Sequence, residues 1–342
     1  MSTPDLSAWE VDGQQFPRDA TFREQMRFLL QYAILAPSSH NTQPWRFKLD
    51  DEGLWLLADR TRSLAASDPY DRELIISCGA ALMNLRVAFA HFGCPVQIHT
   101  FPFKIEPDVL AHMQPNPGAL QPTALSPLLR EITRRSTNRR VYTGERLPAS
   151  VCDQLLASAY DEGVELNIVE QLDTRRELAV LIASGDEAQF ADPGFRHELA
   201  SWLRGSRAYD GMPAYAPGSS ALLDATVPIK GLVVRTFDMG ESVAAHHEAL
   251  AQGSPTLACI STDIDDQHGW LAAGQALQRI LLTASAAGLD ASFLNQPIEV
   301  AALRKQLQDI VGGAAYPQIL LRIGRADKQT HTPRRPVEDV LC

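Results

Sequence analysis

Two helical stretches with no wide polar face, each bounded by glycines at one spacing, constrain this chain more than any other feature. From Arg72 to Gly93, Leu74, Cys78, Leu82, Leu85, Phe89 and Phe92 recur at helical spacing, and Ile75, Ile76, Ala81 and Val87 fill the rest of the cylinder. Such a helix is buried on most sides. Trp270 to Gly288 repeats the pattern: in GAALMNLRVAFAHFG and GQALQRILLTASAAG, Gly79 and Gly274 are each followed fourteen residues later by Gly93 and Gly288. A glycine just past a helix end suits a left-handed cap. The chain therefore reads as two copies of one unit, each built round a central helix.

The flanks agree. MRFLLQYAILAP (26–37) and CDQLLASAYDEG (152–163) read as amphipathic helices, and LWLLAD (54–59) and TLACIST (256–262) as strands. Trp45, Phe47 and Leu49 alternate with Arg46, Lys48 and Asp50, and DDEG then turns the chain into a hairpin. Each copy runs helix, strand, strand, buried helix. Leu29 matches Leu155 at an offset of 126 and Gly79 matches Gly274 at 195, so about 69 extra residues lie in the second copy. Composition places them at about 184–252, where DPGF, DGMPAYAPGSS and VPIKG predict irregular structure around one short helix, FRHELASWLRG. Inserts of that length are usually functional covers or disordered segments. The apolar face of the short helix, Leu199, Trp202 and Leu203, has no obvious place to pack except over a pocket.

Length and composition bound the function. With 342 residues, 45% hydrophobic and 21% charged, the chain can bury a sizeable core, divided here into a first half at 1–125 and a second at 126–342. A net charge of −10 works against nucleic-acid or anionic-membrane partners and leaves a small-molecule substrate. Every apolar stretch is interrupted within the ~18 residues that a spanning helix requires. Asp5, Glu10, Asp12 and Asp19 precede any apolar run, which is unlike a secretion signal and points to the cytoplasm. Cys78, Cys94, Cys152, Cys259 and Cys342 are too scattered for a disulfide framework or a metal knuckle. His246 and His247 are adjacent, cannot share a helix face, and read as solvated rather than as metal ligands. No G-x-G-x-x-G, Walker loop, G-x-S-x-G or H-E-x-x-H occurs.

Three local signals carry chemistry. LREITRRSTNRR (129–140) sets Arg130, Arg134, Arg135, Arg139 and Arg140 around Ser136, Thr137 and Asn138. Arginine forks suit phosphate oxygens, a solvated basic helix end is the plainer alternative, and nucleic acid is the poorest reading because no aromatics interleave. In APSSHNTQPWRF (36–47), Pro37 ends a helix and Ser38, Ser39, Asn41, Thr42 and Gln43 then crowd polar side chains ahead of Pro44. Such a row suits a flat heterocycle, or else caps its own backbone. The tail GRADKQTHTPRRPVEDVL (324–341) holds Arg334 and Arg335 between prolines and, taken alone, reads as a disordered terminus rather than a site.

Together, APSSHNTQPWRF, the RRSTNR run, the G-x(14)-G helix followed by LDASFLNQPIE, and the closing PRRPVEDVL resemble the flavin-dependent nitroreductase family from about residue 22 to the C-terminus. Family members carry RRS before PSS-x-N-x-QPW, whereas here the order is reversed. With the internal repeat, this resembles the Acg-like branch, in which two nitroreductase units are fused into an intrachain pseudo-dimer with a lid. The resemblance implies an α+β nitroreductase-like fold, non-covalent FMN, NAD(P)H as electron donor, and a nitroaromatic, quinone or similar electrophile as acceptor. The insert at 184–252 is then the lid. Arg134, Arg135, Ser136 and Arg139 would hold the phosphate and ribityl chain with Arg334 or Arg335. Pro37, Ser38, Ser39, Asn41 and Gln43 would contact the flavin ring from the other half, and backbone near Asn295 and Gln296 would face its reactive edge. Which of Asn138, Arg139 and Arg140 touches flavin stays open. The flavin carries the chemistry, so no catalytic side chain or metal is demanded, and a non-catalytic FMN-sequestering stress protein is the alternative. One flavin per chain is expected, because FPRDATFRE offers only Arg18 and Arg23 where the first half would need an arginine run. A monomer would then suffice for the site.

Overall fold

The computed structural model describes residues 4–120, 122–205, 208–213, 232, 234–236 and 238–342. Helix α1 (Phe22–Ala33) starts at a reciprocal cap: Thr21 Oγ accepts from the Glu24 N–H, and the Glu24 carboxylate accepts from the Thr21 N–H at 3.0 Å. Strands β1 (Trp45–Leu49) and β2 (Leu54–Ala58) pair as the expected antiparallel hairpin, with Trp45, Phe47 and Leu49 buried and Arg46 and Lys48 exposed. The turn closes through the Asp50 N–H on the Gly53 carbonyl at 3.1 Å. Helix α2 (Arg72–Phe92) and strands β3 (Val96–Thr100) and β4 (Val109–Pro115) complete an antiparallel sheet in the order β1-β2-β4-β3.

The second half repeats this plan. Helix α3 (Ala149–Tyr160) leads into β5 (Glu165–Val169), and an inserted block follows with α4 (Leu172–Ala191), α5 (Pro193–Ser201), the two-residue ladder β6 (Leu203–Arg204) with β7 (Met212–Pro213), and α6 (Gly240–Gly253). Then come β8 (Thr256–Thr262), α7 (Gln267–Ala286), β9 (Asp290–Phe293), α8 (Ala301–Val311) and β10 (Tyr316–Gly324). The sheet order β5-β8-β10-β9, again all antiparallel, is the first sheet's order strand for strand. The chain is an α+β fold of two fused repeats.

The central helices α2 and α7 pack against each other, and their crossing point is the glycine pair that marks the repeat. A Cβ at Gly79 would stand 2.4 Å from the Leu271 carbonyl oxygen, and one at Gly274 would stand 2.0 Å from that of Ile76. The backbones touch there because neither residue has a side chain. Polar ties flank the crossing: the buried Asn84 accepts from Gln278 Nε2 at 2.7 Å and donates to the Tyr32 carbonyl at 2.8 Å. Gly93 and Gly288 end the two helices at φ +70° and +69°, the left-handed caps that the spacing predicts. By length and hydropathy α2 could cross a membrane, but its most apolar window is 83% buried, as befits a core helix.

Two expectations change. The insert is not loops round one short helix: α4 begins at Leu172, ahead of residue 184, and α4 and α6 cover the outer face of the second sheet with Leu178, Ile182 and Ala251 against Leu257, Cys259 and Leu320. Leu178 and Ile182 are spaced for one helix face, a signal that the Pro-rich segments downstream obscured. DGMPAYAPGSS and VPIKG lie largely outside the described residues. The tail, for its part, is ordered. Val337 and Val340 are buried, Glu338 pairs with Arg27 at 2.8 Å, and the Cys342 N–H donates to the Phe47 carbonyl at 2.8 Å, so residues 325–342 run from the second half onto the first sheet.

The crossing yields a stability test. Gly274→Ala drives a methyl into backbone that cannot rotate away and should cost about 3 kcal/mol, the upper end for overpacking. Gly93→Ala meets no neighbouring atom and should cost about 1 to 2 kcal/mol for its left-handed φ alone. Urea midpoints of the two variants check the order.

Candidate active site

The loop between α1 and β1 is held in a costly conformation. His40, Asn41 and Gln43 all have left-handed φ, at +52°, +55° and +51°, each at about 1 kcal/mol or more for a residue with a Cβ. Two distant segments converge to hold it. Asn41 Nδ2 donates to the carbonyls of Gly211 (3.1 Å) and Pro333 (3.2 Å), and Asn41 Oδ1 accepts from Arg334 at 3.0 Å. Gln43 Nε2 donates to the Tyr209 carbonyl at 2.8 Å, and Gln43 Oε1 accepts from the Arg335 N–H at 2.8 Å. Ser38 Oγ accepts from the Gln43 N–H at 2.9 Å.

This loop forms one wall of a cavity of about 330 Å³ to which both repeats, the insert and the tail contribute. Of the residues singled out in the sequence, Pro37, Ser38, Ser39 and Asn41 line it from the first half. Arg135, Ser136, Arg139, Asn295, Gln296 and Arg334 line it from the second half and the tail. Three others do not. Arg134 points outward, 65% exposed, and pairs with Glu131 at 3.3 Å. Gln43 and Arg335 stand behind the wall, joined to each other. Of Asn138, Arg139 and Arg140, only Arg139 reaches the cavity: Asn138 is buried and donates to the Asp327 carbonyl at 2.8 Å, while Arg140 faces solvent near Asp327. A bridge from Thr137 to Ala291 and the Asn138 N–H on the Ala291 carbonyl at 3.0 Å dock the run against β9. Arg18 and Arg23 lie elsewhere, Arg18 over the Phe16 ring and Arg23 on the Leu49 carbonyl.

One part of the cavity is cationic, with no counter-charge among the described residues. Arg135 is 5% exposed, its Nε has no partner, and burial alone pushes its guanidinium down to about 10. Arg334 is equally buried, donates to Thr332 and to the carbonyls of Pro333 and Ala36, and lies 4.8 Å from the Trp9 ring centroid. Burial and then Arg135 hold its guanidinium well below the usual range. His331 stacks on Trp9 at 3.9 Å, and burial, Arg135 and Arg334 press its imidazole down to about 4. Two buried guanidiniums with no carboxylate are expensive unless an anion joins them.

The other part is rich in carboxyl groups. Glu73, in the first turn of α2, accepts from Arg72 at 3.0 Å, from Asn295 at 3.2 Å and from the Ser39 hydroxyl. Glu299 accepts from Gln189, and burial together with Glu73 holds its carboxyl well above the ordinary range. Asp186 and His247, 2.8 Å apart, also line the cavity. Over this part lies an apolar roof of Phe190, Phe195, Leu199, Leu203 and Val243 from the insert. Trp202 is not part of it and sits between the Arg62 and Arg204 guanidiniums. Sequence reasoning missed Trp9, Glu73, Asp186, His247, Glu299 and His331. An acidic residue opening an otherwise apolar helix was a usable signal for Glu73; the others are single residues that only the fold gathers.

Two fused α+β repeats line one cavity together, with buried guanidiniums from the second repeat and the tail and apolar side chains from the insert. The chain is 33% identical over 324 residues to a Mycobacterium tuberculosis protein provisionally named NAD(P)H nitroreductase, covering 93% of this chain and 91% of that one. It is 29% identical over 316 residues to the mycobacterial Acg protein, which carries the same provisional description, with 91% and 93% covered. A Serratia protein named in the same way is 24% identical over 337 residues, with 94% of each chain covered. This chain belongs to the NAD(P)H nitroreductase family, in its fused Acg-like branch. No family model matches it. Among solved structures, iodotyrosine deiodinase bound to FMN and 3-iodo-L-tyrosine aligns at 13% identity over 61% of this chain and 95% of that one, with a TM-score of 0.41. A Bacteroides fragilis nitroreductase with bound FMN aligns at 16% identity over 61% and 93%, with a TM-score of 0.36.

The buried imidazole gives a pH signature. His331 ionises near 6.5 when unfolded and near 4 when folded, so its contribution to stability is complete above pH 6.5 and is lost as pH falls through 4. The loss is of the order of 2 kcal/mol once solvent screening is allowed for. His331→Phe, which keeps the stack on Trp9, should flatten ligand-free stability between pH 6.5 and 4; equal slopes in both proteins would contradict the assignment.

Proposed function

We propose that this chain is an FMN-dependent oxidoreductase that takes hydride from NAD(P)H and passes it to a nitroaromatic, quinone or similar electrophile. The observation that carries this reading is the uncompensated pair of buried guanidiniums, Arg135 and Arg334, at one end of a cavity that both repeats enclose. A phosphate monoester supplies the charge that this end lacks, and the orphaned Arg135 Nε, Arg334 Nε and His331 Nδ1 are donors or acceptors for such a ligand. Arg135, Arg139, Arg334 and the Ser136 hydroxyl would hold the phosphate and ribityl chain. Pro37, Ser38, Ser39, Asn295 and Gln296 would border the ring. When bound, the flavin supplies the hydride acceptor and donor.

The chain's own residues position and shield. The strained loop presents Ser38 and Ser39 without any rearrangement on binding, and Ser39 is fixed by its hydrogen bond to Glu73. The roof excludes water and works as a lid, which must open for reductant and acceptor. Because one chain supplies both walls, one flavin binds per chain and no second copy is required. Action in the cytoplasm accompanies this reading. The apolar roof also favours a second one, storage of FMN under a lid that stays shut.

Titration of apoprotein with FMN and with riboflavin tests the assignment. FMN should bind at one per chain and more tightly than riboflavin. Arg135→Ala combined with Arg139→Ala should weaken FMN by at least ~100-fold, at about 1.5 to 3 kcal/mol for each charge-assisted bond, with little change for riboflavin. Unchanged FMN affinity, or a ratio near two, sinks the assignment. Anaerobic NAD(P)H separates the readings: bleaching of the flavin supports the oxidoreductase, and a persistent oxidised spectrum supports storage.

A further inference from the structure

Asp186 is buried, with 2% of its side chain exposed, yet no arginine or lysine among the described residues answers it. Its partners are His247, whose Nδ1 lies 2.8 Å from Asp186 Oδ2, and Gln296, whose Nε2 donates to Asp186 Oδ1 at 3.1 Å and stands 2.9 Å from the same ring nitrogen. All three line the cavity. The group joins α4, α6 and the segment after β9, and a glycine permits it: a Cβ at Gly185 would fall 2.7 Å from Gln296 Cβ. A residue with a side chain there would push Gln296 away from the carboxylate.

We propose that Asp186, His247 and Gln296 form a proton-donating site, and that it equips the cavity for flat acceptors whose reduction requires a proton along with the hydride, quinones above all. This rests on the oxidoreductase reading given above. With Nδ1–H donated to Asp186, Nε2 is the ring nitrogen left for the cavity. Reduction of a quinone takes one hydride, which comes from NAD(P)H, and one proton. The hydride's hydrogen ends in an O–H bond at one carbonyl oxygen, the displaced electron pair ends on the other, the N–H bond at His247 Nε2 breaks to form the second O–H bond there, and hydroquinone leaves. Asp186 keeps the Nδ1–H in place throughout, and His247 regains its Nε2 proton from solvent through its 28% exposed edge. The roof of Phe190, Phe195, Leu199 and Val243 gives a flat apolar ring its contact surface.

The test compares 1,4-benzoquinone with ferricyanide, which takes an electron and no proton, in FMN-loaded wild type, His247→Gln and Asp186→Asn. Both variants should lower the ratio of quinone to ferricyanide turnover, His247→Gln by about 100-fold, through kcat rather than KM. Equal loss on both acceptors overturns the proposal. Nitrogen-15 NMR of the flavin-free protein supplies a second readout. At alkaline pH, where the ring has given up its Nε2 proton, His247 should be held as the Nδ1–H tautomer in wild type and released to a mixture in Asp186→Asn; the same tautomer state in both also overturns the proposal. Wild type that takes up no FMN sinks the flavin reading instead, and the tautomer measurement still decides the Asp186–His247 pair.

Discussion

The backbone contact between Gly79 and Gly274 is the constraint on which the rest of this structure depends. Neither repeat could bury its central helix alone, because α2 and α7 are apolar on too many sides. Crossing at glycine brings the two backbones together and covers both helices at once. That crossing then sets the distance between the two sheets, and hence between the APSSHN loop carried by the first repeat and the RRST run carried against β9 of the second. Arg72, at the start of α2, extends the tie by donating to the Gln318 carbonyl at 2.5 Å, so the helix that organises the interface also reaches β10.

Fusion has let the two halves diverge. Only the second acquired the insert, whose helices first complete a sheet layer and then roof the cavity. Only the second carries a clustered arginine run, and the tail that supplies Arg334 returns to dock on the first. The site is thus built from four segments far apart in sequence, and Asn41 is where three of them meet.

Stability is spent at both ends of that site. Three left-handed residues in four, two buried guanidiniums with no acid among the described residues, and a carboxyl whose ionisation burial opposes all work against folding. Their concentration in one cavity, with ordinary packing elsewhere, is the physical reason for treating it as a binding and reaction site rather than as a packing defect. The polarity of the arrangement matters too. Arg135 and Arg334 gather in one cluster of the lining, and Glu73, Glu299, Asp186 and His247 in another.

The sequence by itself determined the repeat, the central helices with their glycine caps, the hairpin from Trp45 to Ala58, and the two motifs richest in polar groups. Those features are local: a period of 3.6, an alternation of two and a glycine past a helix end each leave their mark within a few residues. It under-read α4, whose apolar face serves a sheet laid down later in the chain, and it gave the tail no place, because the tail's partners lie some three hundred residues away. Only the tertiary structure decided which arginines face the cavity. Arg134 and Arg135 are neighbours of identical chemistry, yet one meets solvent beside Glu131 and the other a buried wall. It also decided that Glu73, Asp186, His247, Glu299 and His331 belong together, since a buried charge has no sequence signature until packing removes its water.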